Sequence, residues 1–147
     1  MIDERDEREL VSGQAADRRD RLQLPVLIPN GVYQVRSNRI VRRPLFDRNV
    51  IILECEVVGG RYDGTQLSWY AKALPRTGRI APSAKLFIAL CRTLPHPPTT
   101  PADLDPRHLV NHLFKAQVIS VTRDSKRRPL PPAAWHAKIS ELLERLA

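Results

Sequence analysis

Residues 50–72, VIILECEVVGGRYDGTQLSWYAK, constrain the fold most, because they have the pattern of a β-hairpin. Residues 50–58 are β-branched and apolar apart from two glutamates, and residues 65–72 alternate between apolar and polar side chains. The glycines between them supply the positive φ angles that a tight turn uses. A lone hairpin is marginally stable in water, so other elements must cover its apolar face.

Alternation along the hairpin assigns its side chains to two faces. One face is apolar and is predicted to lie in the core; it carries Leu53, Cys55, Leu67 and Trp69. The opposite face carries Ile52, Glu54, Glu56, Ser68, Tyr70 and Lys72. An aromatic side chain beside a lysine suits base stacking, but the two glutamates would repel phosphate unless Lys72 or Lys115 neutralises them.

The rest of the chain supplies further elements. Strands are predicted over residues 32–39 and 113–123, with residues 24–29 an edge strand at most because prolines bracket them. Leucines at helical spacing predict a helix over residues 84–93, with Ser83 as its N-cap. Residues 103–111 are expected to form a turn or short helix.

The C-terminal segment has a helical stripe, so we expect a closing helix. Its apolar members are Trp135, Ile139, Leu142, Leu143 and Leu146. The periodicity leaves open that residues 135–139 pair as a last strand instead.

This order of elements is typical of a mainly β fold with α: a five-stranded OB-type Greek-key barrel, with a helix between strands 3 and 4 and a C-terminal helix. An open βββα sheet is the competing arrangement. The length of 147 residues suits one domain over residues 24–147, preceded by a flexible charged arm at residues 1–23.

Charge narrows the class of partner. The chain carries a net charge of +8, and because residues 1–24 hold seven acids and five bases, the remainder carries +10. A sequence pI of about 10.2 indicates a polyanionic partner, first of all nucleic acid, with general basicity as the alternative.

Three further features of the sequence bear on the cellular location of the protein. No apolar run approaches the roughly 20 residues that span a bilayer, so no membrane partner is expected. The N-terminus is acidic where an export signal would be basic. Cys55 and Cys91 have no paired spacing and are predicted to be buried free thiols, which favours the cytoplasm.

A basic stretch at residues 39–49, RIVRRPLFDRN, is predicted to be a loop that clamps a phosphate backbone and stacks one base on Phe46. A solvated loop with Phe46 in the core is the alternative. The full set of cations expected to contact phosphates is Arg36, Arg39, Arg42, Arg43, Arg48, Lys72, Arg76, Arg79, Lys115, Arg123, Lys126, Arg127 and Arg128. The aromatics expected to stack on bases are Phe46, Tyr62 and Tyr70.

Catalytic patterns are weak, so no enzyme activity, metal or cofactor is expected. His108 and His112 have an i, i+4 spacing, but HLVNH lacks the glutamate of a metalloprotease motif. Asp103 and Asp105 are explained as caps and turn formers. The sequence contains no GxxxxGK[ST], GxGxxG or GxSxG.

Several short motifs carry a family resemblance over residues 33–143. A strand ending in EV is followed by GxYxG and TxL, a helix opened by Ser83 and Lys85, then HLFKAQVISV and RPLP. This pattern resembles small OB-fold single-stranded DNA-binding or replication-accessory proteins of phages, plasmids and integrated mobile elements. Such relatives often carry a Tyr-Ser pair where this chain has Trp135 and His136.

The resemblance implies binding of single-stranded DNA with little sequence preference, in replication or recombination of a mobile element. Further candidate partners are a replication or recombination protein and a second copy of the chain. A protein–protein adaptor that uses the face of Ile119 and Val121 or the closing helix is the alternative function, and binding to double-stranded nucleic acid through the basic loops is a third.

Overall fold

A computed structural model describes residues 24–45, 48–75 and 77–147. The charged arm expected at residues 1–23 lies outside these residues. In chain order the described elements are β1 (Gly31–Leu45), β2 (Arg48–Val57), β3 (Gln66–Lys72), α1 (Lys85–Thr93), the 3-10 helices Pro101–Leu104 and Pro106–Leu109, β4 (Leu113–Val121), the 3-10 helix Pro132–Ala134 and β5 (His136–Arg145).

The five strands close into a barrel in the order β1, β2, β3, β5, β4. Neighbouring strands are antiparallel except β3 and β5, which run parallel and meet at Trp69 and Ile139. The mainly β fold is therefore confirmed, as is the helix between the third and fourth strands.

Alternation explains the core. The inward side chains predicted for the hairpin are buried, and Trp69 is only 1% exposed. Phe114, Ala116 and Val118 face the same interior from β4, as their alternation predicts. The helix α1 contributes Leu86 and other apolar side chains to the same cluster.

The first hairpin is longer than predicted. Strand β1 continues to Leu45 and pairs with β2 through Arg42↔Ile51 and Arg43↔Val50 down to Leu45↔Arg48. The prediction of a basic loop over residues 39–49 is thus wrong for most of that stretch. Arginines and a proline are typical of loops, but a hairpin needs only its backbone to pair, and its charged side chains stay in water.

A bulge interrupts β1. The pairing register with β2 shifts between Ser37 and Arg39, so Ser37 lies opposite Cys55 while Arg39 lies opposite Glu54. One extra residue in one strand reverses the faces of all residues beyond it. Arg39 therefore points outward, whereas unbroken alternation from Val35 would turn it inward.

The predicted closing helix is wrong, because residues 136–145 form β5. Two register shifts in the pairing with β4 place Ile139 opposite Val118 and Leu142 opposite Ala116. These bulges give inward residues a spacing of three, which in the sequence looks like one turn of helix. The alternative of a last strand is the one observed.

Smaller corrections concern caps and termini. The helix α1 matches the predicted one, but its N-cap is Ala84 with no side-chain hydrogen bond, so Ser83 does not cap it. Cys55 is buried as predicted, whereas Cys91 is exposed. Residues 24–29 form no strand, although Ile28 is buried and the Val26 carbonyl accepts a bond from the Ala137 N–H at 2.7 Å.

Candidate nucleic-acid interface

The outward side of β1, β2 and β3 forms one continuous surface, which we call the outer face. Strand pairing arranges it in four rows that cross the strands. From the β1–β2 turn downward the rows are Arg43–Val50–Lys72, Val41–Ile52–Tyr70, Arg39–Glu54–Ser68 and Arg36–Glu56–Gln66.

Tyr70 is the aromatic side chain within these four described rows and is 41% exposed. Its row neighbours Val41 and Ile52 are partly buried, so they flank the ring with apolar surface. Lys72 is two residues along the same strand, and Arg43 lies in the same row as Lys72. Because neighbouring strands lie about 4.8 Å apart, the two cations are separated across the sheet by roughly 10 Å at their backbones. The face thus offers a stacking surface beside two exposed cations.

Glu54 is paired by a residue that the sequence did not suggest. The Arg39 Nε donates to its Oε1 at 2.6 Å and Nη2 to its Oε2 at 3.3 Å. Both side chains are partly exposed, and the hydrogen bond to Glu54 raises the pKa of Arg39. The expected neutralisation by Lys72 or Lys115 is wrong for Glu54, since Arg39 compensates its charge.

Glu56 lies in the row of the outer face that is farthest from the β1–β2 turn. It lies opposite Arg36 on β1 and Gln66 on β3. The Gln66 amide donates to its Oε1 at 3.4 Å. This row carries one acid and one base, as does the row of Arg39 and Glu54. The row of Arg43 and Lys72 carries two bases and no acid, so the end of the outer face near the β1–β2 turn is the positive one.

The tip between β4 and β5 is a tight turn organised by Asp124, and the isolated bridge Arg123↔Pro129 closes it. The Asp124 carboxylate accepts bonds from the Lys126 and Arg128 backbone N–H groups, both at 2.9 Å, and from the Arg128 side chain. These bonds, the one from Arg128 N–H foremost, lower the pKa of Asp124. Lys126 and Arg127 are exposed at this tip.

Besides the tip residues, four more predicted site residues within the described part of the chain do not join the outer face. Lys115 is on β4 and pairs with Glu144 at 3.4 Å. Tyr62 lies in the β2–β3 turn with its ring edge-on to Tyr33, 6.2 Å between centroids, so it packs against protein. By register, Arg42 lies on the opposite side of the first hairpin from Arg43. Arg79 is exposed in the connection before α1.

Three further predicted contacts lie outside the described residues: Phe46, Arg76 and the Arg48 side chain. Of the cations predicted in the stretch 39–49, Arg39 and Arg43 are the two that the structure places on the outer face.

The residues considered as metal ligands have structural partners. His108 Nε2 lies 2.9 Å from the Ala102 carbonyl, and His112 Nδ1 lies 3.3 Å from that of Ala147. Asp105 caps the second 3-10 helix, and its bond with the Arg107 side chain lowers its pKa to about 2. Asp103 closes a capping box with Thr100, as the cap interpretation predicts. Within the described part of the chain, no group of three His, Cys, Asp or Glu side chains is arranged to hold a metal ion.

Comparisons with known proteins add no assignment. A scan against protein-family models, a search of curated proteins and a search of solved structures each gave no match. No helix among the described residues is long and apolar enough to cross a membrane.

Proposed function

We propose that this chain is a non-enzymatic, OB-type protein that binds single-stranded DNA with little sequence preference, in replication or recombination of a mobile element in the cytoplasm. The observation that carries the proposal is Tyr70, exposed on the outer face beside the cations of the Arg43–Lys72 row. Aromatic side chains on a basic strand surface bind single strands because every base has a face that can stack.

The strand order supports the OB-type assignment. OB folds close a five-stranded barrel, place a helix between the third and fourth strands and bind ligands on strands 2 and 3 with the flanking loops 1–2 and 4–5. Here Tyr70 lies on β3 and Glu54 on β2. The flanking connections are the basic β1–β2 hairpin and the Arg123–Arg128 tip, in the positions where such ligands contact the fold.

The charge distribution also supports a polyanionic ligand. The outer face carries four cations against two glutamates, and Arg39 already compensates Glu54. The tip adds Lys126 and Arg127, whereas its Arg128 is held by Asp124. Contacts of this kind release counterions from DNA, so affinity should fall linearly with salt on a logarithmic scale.

Fluorescence anisotropy with a labelled oligo-dT over a salt series tests the proposal. The variant Tyr70→Ala should weaken binding by roughly 5- to 150-fold, the equivalent of the 1–3 kcal/mol of one stacked base. Adding Lys72→Ala should lower the salt slope by about 0.7. Lys115→Ala is the matched control, because this exposed lysine lies on β4 beside Glu144 and its loss should leave the affinity nearly unchanged.

Two results would overturn the proposal: no binding at low salt, or binding without a negative slope against salt. If wild type binds but the Tyr70 and Lys72 variants bind equally well, the ligand uses the loops and the outer face is not the site. Competition with double-stranded DNA and with RNA of the same length tests the preference for single-stranded DNA.

An adaptor for another protein is the second candidate, favoured by exposed apolar side chains near the start of the domain. Val26, Leu27 and Val32 are between 42% and 53% exposed. A pull-down from nuclease-treated lysate with wild type and with Val32→Asp separates the two functions. A partner that survives nuclease and is lost with Val32→Asp supports the adaptor, and DNA binding without such a partner excludes it.

A further inference from the structure

A pocket of about 220 Å³ lies between α1 and β5, on a different part of the barrel from the outer face. One wall is the helix stripe Lys85, Ile88, Ala89 and Arg92, and the other is the bulged part of β5 at residues 140–142. Trp69 also lines it, and because Trp69 points inward where its neighbour Tyr70 points outward, pocket and outer face are separate sites.

Positive charge exceeds negative charge at this pocket. The Arg92 guanidinium is already engaged, donating to Glu141 Oε2 at 2.7 Å and to the Leu142 carbonyl at 2.9 Å. Lys85 remains, and the nearby Lys138, which does not line the pocket, repels its ammonium group. Burial of its ammonium group, and then the repulsion by Lys138, lower the pKa of Lys85 to about 8, while Glu141 acts in the opposite direction. An anion bound here would relieve that repulsion.

Two groups in the pocket lack a strong partner. The Lys85 Nζ lies 5.2 Å from the centre of the Trp69 ring, a cation–π contact that provides no oxygen acceptor. The Trp69 Nε1 is buried and has no hydrogen-bond partner among the described residues. A buried N–H without an acceptor is unfavourable, so a ligand acceptor that reaches the Trp69 indole would be favoured.

We propose that this pocket binds a carboxylate carried next to an apolar group, with Lys85 as its ion-pair partner. Ile88, Ala89 and Leu142 supply the apolar lining, and the carboxylate accepts from Lys85 and, once the side chains around the buried indole move aside, from the Trp69 N–H. The volume is below the roughly 300 Å³ of common ligand pockets, which suits a side-chain-sized group and excludes a nucleotide. Of the two cations that line the pocket, Arg92 is held by Glu141, which leaves Lys85 to bind a single negative charge.

Two-dimensional ¹H–¹⁵N NMR of the full chain tests this, because the protein has only two tryptophans. The probes are 4-methylpentanoate and an acetylated tripeptide with a C-terminal leucine carboxylate, each compared with its own amide. The Trp69 indole N–H resonance should shift with both acids and with neither amide. The Trp135 indole, which donates to the Leu130 carbonyl at 3.0 Å, is the internal control and should not move.

Variants locate the binding group. Lys85→Met keeps the aliphatic stem and should weaken acid binding by roughly ten- to a hundredfold, as expected for loss of a charged hydrogen bond. Lys85→Arg should restore most of it. Lys72→Met, on the outer face, should change nothing, and urea midpoints of all variants verify folding.

The proposal is overturned if acids and amides shift the Trp69 resonance equally, if neither acid shifts it at about 10 mM, or if Lys85→Met binds as wild type. Tighter binding of the tripeptide identifies a protein segment as the source of the carboxylate, and tighter binding of 4-methylpentanoate identifies a free organic acid. Whether the pocket binds a carboxylate does not depend on whether the outer face binds DNA, so the two proposals can fail separately.

Discussion

Ser37 holds together the part of the barrel that positions the outer face, so its substitution by alanine should be strongly destabilising. The residue is fully buried, with 0% exposure. Its Oγ donates to the Leu109 carbonyl at 2.6 Å and accepts from the His112 N–H at 3.0 Å. Backbone bonds add to the same contact, from Ser37 N–H to the His112 carbonyl and from Asn111 N–H to the Ser37 carbonyl, both at 2.9 Å.

The magnitude follows from these bonds. Ser37→Ala removes two hydrogen bonds of about 1 kcal/mol net each and leaves the His112 N–H without its acceptor, a further cost of about 1–3 kcal/mol if water does not replace it. The expected loss is about 3–5 kcal/mol, a large share of the roughly 5–15 kcal/mol that stabilises a typical domain. The residues joined are more than 70 positions apart in sequence, so the bonds also fix where the segment before β4 meets β1.

Urea unfolding followed by circular dichroism measures this loss as a lower midpoint with an unchanged slope. Ser120→Ala is the matched control, because the Ser120 hydroxyl also donates a bond, to Asn30 Oδ1 at 2.8 Å, but at an exposed position. It should cost no more than about 0.5 kcal/mol. Equal losses for the two variants, or a loss below about 0.5 kcal/mol for Ser37→Ala, would refute the assignment of Ser37 as a buried anchor.

Two further outcomes are expected. Iodoacetamide at pH 8 should modify Cys91 and spare Cys55, because Cys55 is buried and burial raises its pKa to about 12; two adducts by mass spectrometry of the native protein would contradict this. Burial lowers the pKa of Lys85 from its ordinary 10.5 to about 8, so the unfolded chain binds more protons between these two pH values, and the contribution of Lys85 to the free energy of unfolding should rise from pH 8 to pH 10.5. Urea midpoints of Lys85→Met should lack that part of the rise, and an identical pH dependence for wild type and variant would show that Lys85 titrates normally.

Sequence alternation predicted the two faces of β2, β3 and β4 because their inward residues follow an unbroken period of two over the predicted stretches. It failed in β5, where bulges separate the inward residues Ile139 and Leu142 by three positions. A bulge depends on the register of two strands far apart in sequence, so a single strand's pattern does not contain it. The same limit explains Arg39, whose direction is set by a bulge one residue before it.

The direction of a site residue could be predicted where it depends only on alternation along a single strand. Tyr70 and Lys72 were assigned to the outward side of their strand, and the structure places them there. The contact of Tyr62 with Tyr33 could not be predicted from local pattern, because it crosses from the β2–β3 turn to β1. The pocket beside α1 had no sequence signal, since it joins residues of β3, α1 and β5 that only the closed barrel brings together.

The bulge in β1 also bears on the strongest objection to a nucleic-acid surface, the glutamates beside Tyr70. If β1 alternated without interruption, Arg39 would point inward and Glu54 would stand without its cation on the outer face. With the bulge, Arg39 forms a two-point contact with Glu54. A partly exposed pair of this kind contributes little to stability, about 0–1 kcal/mol. Its main effect is therefore on the potential of the outer face, where compensation of Glu54 leaves Arg43 and Lys72 to set the sign beside the aromatic ring.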